Sequence, residues 1–296
     1  MLISVAEPQE NADIEPVQYD PESVFKYNNF VYRVTLHSPI LSNDAIHDGP
    51  LQPGCVAIPE DTTELIVRLT NSDTEGMDLA TRVENEVAII SLASAALRDF
   101  QPHAVPRVYG WGSAAGKSAQ GWILQELMPG APLDEKFEGM VLEQKKAIFA
   151  QMAQLLQGLQ GFKVPETITG FGGVTFDNVG RIVSAAMPTV GAGPWPSYEA
   201  SFRGRLDVAL KKADANPYIK GWHANGLRER LDKFVANGVP AQFADLGSKD
   251  DRVVVHADFS ESCLSVEPGG SVLTVCQNEQ TPVTSCLMHT QAVLPP

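Results

Sequence analysis

Basic residues are scarce in this chain. Its 296 residues carry 22 Lys and Arg against 36 Asp and Glu, a net charge of −14 at pH 7. A surface of that sign repels phosphate backbones and anionic headgroups, which excludes nucleic acid and membrane surfaces as main partners. Cysteine is scarce too. The four, Cys55, Cys263, Cys276 and Cys286, form no C-x-x-C pair, and no His stands at zinc spacing from them. A chain of this length builds a core without a disulfide framework, so the thiols read as reduced and the expected compartment is cytoplasmic. No run approaches ~18 apolar residues, which leaves no membrane span. Residues 1–6 lack the basic start of a signal peptide. A Gly-rich phosphate loop is also missing. Residues 112–118 come nearest, but three residues separate their glycines where a P-loop needs four, and the segment links two strands rather than a strand and a helix.

What remains is globular, with 44% apolar residues. Residues 1–22 hold six acids, three prolines and no base, and are expected to form an acidic mobile arm. Residues 27–36 alternate in strand fashion, and 55–58 and 64–69 continue an antiparallel sheet. A helix is expected over 79–98, with Leu79, Val83, Val87, Ile90 and Leu97 on one broad face. A strand pair over 105–111 and 121–127 ends at the turn residues Pro129 and Gly130. Residues 141–160 carry Ile148, Met152, Leu155, Leu156 and Leu159 at helical spacing. A small hairpin over 171–183, a Gly/Pro loop over 191–197 and helices over 198–213 and 219–236 follow.

The chain is organised around 253–275. A β-branched run, Val253 to Val255, ends in His256, Ala257 and Asp258. After four intervening residues comes Cys263, then a short strand, a Pro-Gly-Gly turn and a second short strand ending at Val275. A carboxylate leaving a buried strand is well placed to take a proton from a substrate hydroxyl. With the elements before it, this stretch resembles the catalytic loop of the aminoglycoside phosphotransferase family, the small-molecule branch of the protein-kinase-like fold.

The resemblance covers about residues 25–275 and implies an α+β, two-lobed protein-kinase-like fold. Residues 23–128 would be the N-terminal nucleotide-binding lobe, an antiparallel sheet plus one helix. Residues 129–276 would be part of a largely helical catalytic lobe, incomplete against the family, and 277–296 an irregular tail. The implied site places Asp258 as catalytic base beside His256. Arg68, a cation inside an apolar strand, would contact ATP phosphates and pair with a glutamate of helix 79–98, where Glu84 and Glu86 are candidates and Glu86 is the choice. Glu126 and Met128 would line the hinge, presenting backbone groups to adenine. Asn28 and Asn29 would be either a tight turn near the phosphates or a plain strand entry.

The implied cofactors are ATP and Mg²⁺, but the sequence departs from the family at the metal. Cys263 stands where the family has Asn, and the Asp expected after Val275 is absent, with Glu279 the nearest carboxylate, three residues late. Beyond Gln277 there is no aromatic residue, Lys or Arg, which suggests a replaced end or a short natural tail. Two functions are therefore expected. One is an ATP-dependent kinase acting on a hydroxyl of an unidentified small molecule. The other is a catalytically inactive nucleotide-binding module or truncated product. Helix 141–160 and the 253–275 hairpin are expected to show uncovered apolar faces, since the family covers them with later helices.

Overall fold

The structure, a computed structural model, describes residues 11–17, 28–41, 50–72, 77–100, 104–114, 120–244, 246, 251–256, 259, 264–266, 273–275 and 288–291. The first lobe is a five-stranded antiparallel sheet of β1 (Ala12–Pro16), β2 (Asn29–Leu36), β3 (Glu64–Thr70), β4 (Val108–Gly112) and β5 (Trp122–Glu126), in the order β1-β2-β3-β5-β4. Every pairing in it is antiparallel, as expected. β1 is a correction. It lies within the acidic arm, yet Ile14 pairs with Val34 at the sheet edge. An edge strand needs hydrogen bonds along one side only, so acids and a terminal Pro16 are tolerated there. Residues 55–58 are a second correction. Pro53, a left-handed Gly54 (φ 76°) and Pro59 break the run, and only the Val56 amide reaches the sheet, donating to the Val108 carbonyl at 2.9 Å.

Helix α1 (Leu79–Ala96) begins where Asp78 Oδ1 accepts from the Ala80 amide at 3.0 Å. It is buried almost all round. Val83, Val87, Ala88 and Ala93 have no exposed surface. One flank meets the sheet, and the other meets the hairpin β7 (Gly173–Phe176) and β8 (Ile182–Ala185), where Asn85 Nδ2 donates to the Val174 carbonyl at 2.9 Å.

After β5 the chain passes through Met128 and Gly130 into β6 (Ala131–Pro132), α2 (Leu133–Phe137) and α3 (Leu142–Gly161). β6 pairs with β10 (Leu264–Val266), which pairs in turn with β11 (Leu273–Val275). The three strands expected within 253–275 are in place as β9 (Val253–His256), β10 and β11. Helix 141–160 is covered on one side only. Ile148, Leu155 and Leu159 are buried with Val254, Leu264 and Val266 in one core with α1, because α3 packs on β9, β11 and α1, while Val141, Leu142 and Phe149 stay exposed as an apolar face. The stretch 277–296 contributes β12 (Met288–Gln291), antiparallel to β9, with His289 opposite Val255.

Helix α4 (Tyr198–Ala215) follows expectation, capped by Ser197 Oγ accepting from the Ala200 amide at 3.1 Å. The single helix predicted over 219–236 is broken. A 3₁₀ turn over 220–223 stops at left-handed Gly226 (φ 74°), after which come α5 (Leu227–Lys233), a π turn over 234–238 and α6 (Val239–Ala244). Glycine at a left-handed φ is a helix stop, and sequence periodicity does not register it.

The crossing between the lobes has one tight contact. Gly130 holds φ 107°, and a Cβ there would sit 2.9 Å from the Val266 carbonyl oxygen. Gly130→Ala is expected to cost roughly 1–3 kcal/mol of backbone strain, read as a lower urea midpoint with an unchanged m-value. An unchanged midpoint would mean the hinge is not held against β10.

Candidate functional site

The site is built where α1 crosses the sheet. Arg68 lies on β3 between Val31 of β2 and Ile123 of β5. Its side chain is 4% exposed, and its Nη1 donates to Glu86 Oε1, itself 12% exposed. Between the two candidates the helix selects Glu86. Glu84 keeps Oε2 buried with no hydrogen-bond partner among the described residues. Taking a guanidinium out of water is tolerable only with a carboxylate and good geometry, and Arg supplies fixed, planar donors for it.

Arg82 was not foreseen. It lies one helical turn before Glu86 and is 2% exposed. Its Nη1 donates to the Asn28 carbonyl at 2.9 Å, and its Nη2 to Asn29 Oδ1 at 2.7 Å. The Asn71 amide donates to the same Asn28 carbonyl at 3.0 Å. Asn28 and Asn29, left open between a turn and a strand entry, are the end of the β1–β2 connection and the first residue of β2. The sequence signal was slight, because a base on a helix usually faces water.

At the hinge, strand alternation separates Glu126 from its neighbour. The Glu126 carboxylate turns to β4, where Oε2 accepts from the Arg107 amide at 3.1 Å. Its side chain is therefore engaged beside Tyr109, whose phenol is pushed up to about 12 by burial and by the nearby Glu126 charge. Gln125, also unforeseen, faces the other way. It pairs with Ile66, two residues from Arg68 on the same sheet face, and its buried Oε1 has no partner among the described residues. Met128 is half-buried in the crossing segment. Burial also pushes the Cys55 thiol up to about 11, which leaves it neutral and unreactive.

β9 and β10 are described, but of the residues between them only Phe259 is. His256 closes β9. Asp258, Cys263 and Glu279 lie outside the described residues. No group of three or more possible metal ligands occurs among the described residues, and none of their helices is long and apolar enough to cross a membrane.

Residues 56–272 match the sequence model of the Phosphotransferase enzyme family. No curated protein sequence matches the chain. Among solved structures, it is similar to a thermostable mutant of aminoglycoside phosphotransferase APH(4)-Ia in a ternary complex with AMP-PNP and hygromycin B. The TM-score is 0.50 at 12% identity, over 94% of this chain and 68% of that one. The apo form of a thermostable mutant of that enzyme gives the same TM-score, identity and coverage. At this identity the likeness is one of fold: a mixed architecture with an antiparallel N-terminal sheet and a helical part.

The buried pair sets a stability test. Glu86→Ala strands a nearly buried guanidinium and is expected to cost about 3–5 kcal/mol. Replacing both, Arg68→Met with Glu86→Leu, should cost much less than the two single losses together. Additive losses in urea denaturation would mean the two side chains do not act as a pair.

Proposed function

The chain belongs to the phosphotransferase enzyme family, and on that premise we propose that it binds ATP between its lobes and passes the terminal phosphoryl group to a hydroxyl of a small molecule. The observation that carries the reading is the Arg68–Glu86 pair, assembled on the face of the sheet that meets α1. In this reading Arg68 contacts the phosphates, and Glu86 fixes the guanidinium so that little order must be gained on binding.

The residues present fit a purine nucleotide. The unpartnered Gln125 Oε1, buried one residue before the hinge, is an acceptor awaiting a donor, and leaving it so is costly. The backbone at Glu126 and Met128 would meet the adenine edge. The Glu126 side chain, held by Arg107, takes no part in that contact. Asp258 would accept the hydroxyl proton, and His256 would hold the loop entry. ATP supplies the transferred group. The acceptor is a small hydroxylated molecule, for which amino-alcohols are the first panel to assay.

Magnesium does not fit the donor set. Mg²⁺ takes hard oxygen ligands in an octahedron, and thiols stand at Cys263 and at Cys276, just after Val275. This mismatch favours a second reading, in which the chain binds nucleotide without metal-dependent transfer.

The deciding experiment is ATP binding and turnover by the purified chain, with and without Mg²⁺. ATP-dependent phosphorylation of any amino-alcohol supports transfer, and Asp258→Asn should then lower the rate about 10²–10⁴-fold. Binding without turnover supports the second reading, and neither would reject both. If the thiols are the defect, Cys263→Asn with Cys276→Asp should strengthen Mg²⁺-ATP binding more than the two single changes added together, as expected of groups sharing one ion. Additive effects would place the metal elsewhere.

A further inference from the structure

The two buried arginines of the first lobe form successive rungs between sheet and helix. Asn29 and Arg68 face the helix from adjoining strands. Asn29 is opposite Thr70, and Arg68 is two residues away opposite Val31. Two residues of strand span about 6.6 Å. Arg82 and Glu86 lie four residues apart on α1, about 6 Å along its axis. The spacings match, so one helix face reaches both strands at once, with Arg82 on Asn29 and Glu86 on Arg68.

The two rungs differ in what they hold. The Arg68–Glu86 rung fixes a side chain. The Arg82 rung grips backbone as well, through the Asn28 carbonyl, and the Asn71 amide shares that carbonyl. Thr70 is itself anchored, with its Oγ1 accepting from the Gly121 amide at 3.0 Å. The helix behind Arg82 is fixed to the β7–β8 hairpin through Asn85. Arg82 therefore ties the end of the β1–β2 connection to a helix that is anchored on the β7–β8 hairpin as well as on the sheet.

We propose that Arg82 is a positioning residue for the phosphate end of the nucleotide: it sets the height of Asn28 and Asn29 relative to Arg68, through which the phosphates are held. The proposal rests on the ATP-binding reading and adds a residue with no place in it. It predicts a split between ligands. Arg82→Gln loses both charged hydrogen bonds to Asn28 and Asn29, and should weaken ATP binding about tenfold or more while leaving adenosine binding unchanged, because the hinge lies at the other end of the sheet from Asn29. Asn29→Ala, which removes the side-chain bond and keeps the one to the Asn28 carbonyl, should do the same to a smaller extent, and Arg82→Gln with Asn29→Ala should be no worse than Arg82→Gln alone. Arg82→Lys, which keeps the charge and one donor, should recover part of the ATP affinity.

The test is calorimetric titration of ATP and adenosine into the full chain and these variants, below their melting temperatures. Equal weakening of both ligands, or of neither, would overturn the proposal, as would additive losses in the double variant. A chain that binds neither ligand rejects the ATP reading instead. Amide exchange then decides on Arg82: Arg82→Gln should speed exchange at Phe30, Val31 and Asn71 and leave β4 and β5 unchanged, and uniform acceleration would overturn the tie.

Discussion

A guanidinium buried in the middle of an antiparallel sheet is the constraint from which the first lobe follows. Strand β3 could carry an aliphatic residue at 68 and be more simply packed. With Arg68 there, a carboxylate must reach the sheet from outside it, so a helix must lie across that face at a fixed height and rotation. Glu86 sets the rotation of α1. Once α1 is turned that way, Arg82 also faces the strands and Asn85 faces the hairpin behind. The hairpin β7–β8 is then needed to close the helix's other flank, and the core continues from it into α3 and β9.

The parts of this arrangement that could be read in the sequence are those where a residue contradicts its surroundings. Arg68 inside a run of Leu, Ile and Val, and a Val-rich strand ending in His256, stand out because strand burial is expensive for a charge. The antiparallel strands and helix α3 were legible for the usual reason, that apolar spacing reports which face is buried. Arg82 was not legible, because a base at a helical position has a solvated face as its ordinary fate, and only the assembled sheet shows otherwise. β1 was hidden by its acids and Pro16, since an edge strand is held by backbone bonds that composition does not report. The break at Gly226 was hidden because one left-handed residue interrupts a helix without disturbing its apolar period.

The hinge shows how neighbouring residues acquire opposite roles through alternation alone. Gln125 and Glu126 are both polar and adjacent, and sequence reasoning favoured the charged one. A bulge at Tyr109 shifts β4 against β5, with Val108 opposite Gln125 and Gly110 opposite Leu124. Glu126 turns onto the Arg107 amide beside that shift, and the regular β3–β5 register leaves the uncharged Gln125 on the sheet face shared with Arg68.

The burial of α1 on both flanks bears on how such a molecule could be switched. A helix exposed along one side can pivot away from its strand at small cost, and an ion pair at its root then serves as a latch. Here Val83, Val87, Ala88 and Ala93 are sealed, and Asn85 is bonded to the hairpin. Pivoting would open apolar surface at about 25 cal/mol for each Å² and leave an amide unpaired. The helix is a strut rather than a lever, so the Arg68–Glu86 pairing is stored in the packing and does not have to be assembled by a motion of α1.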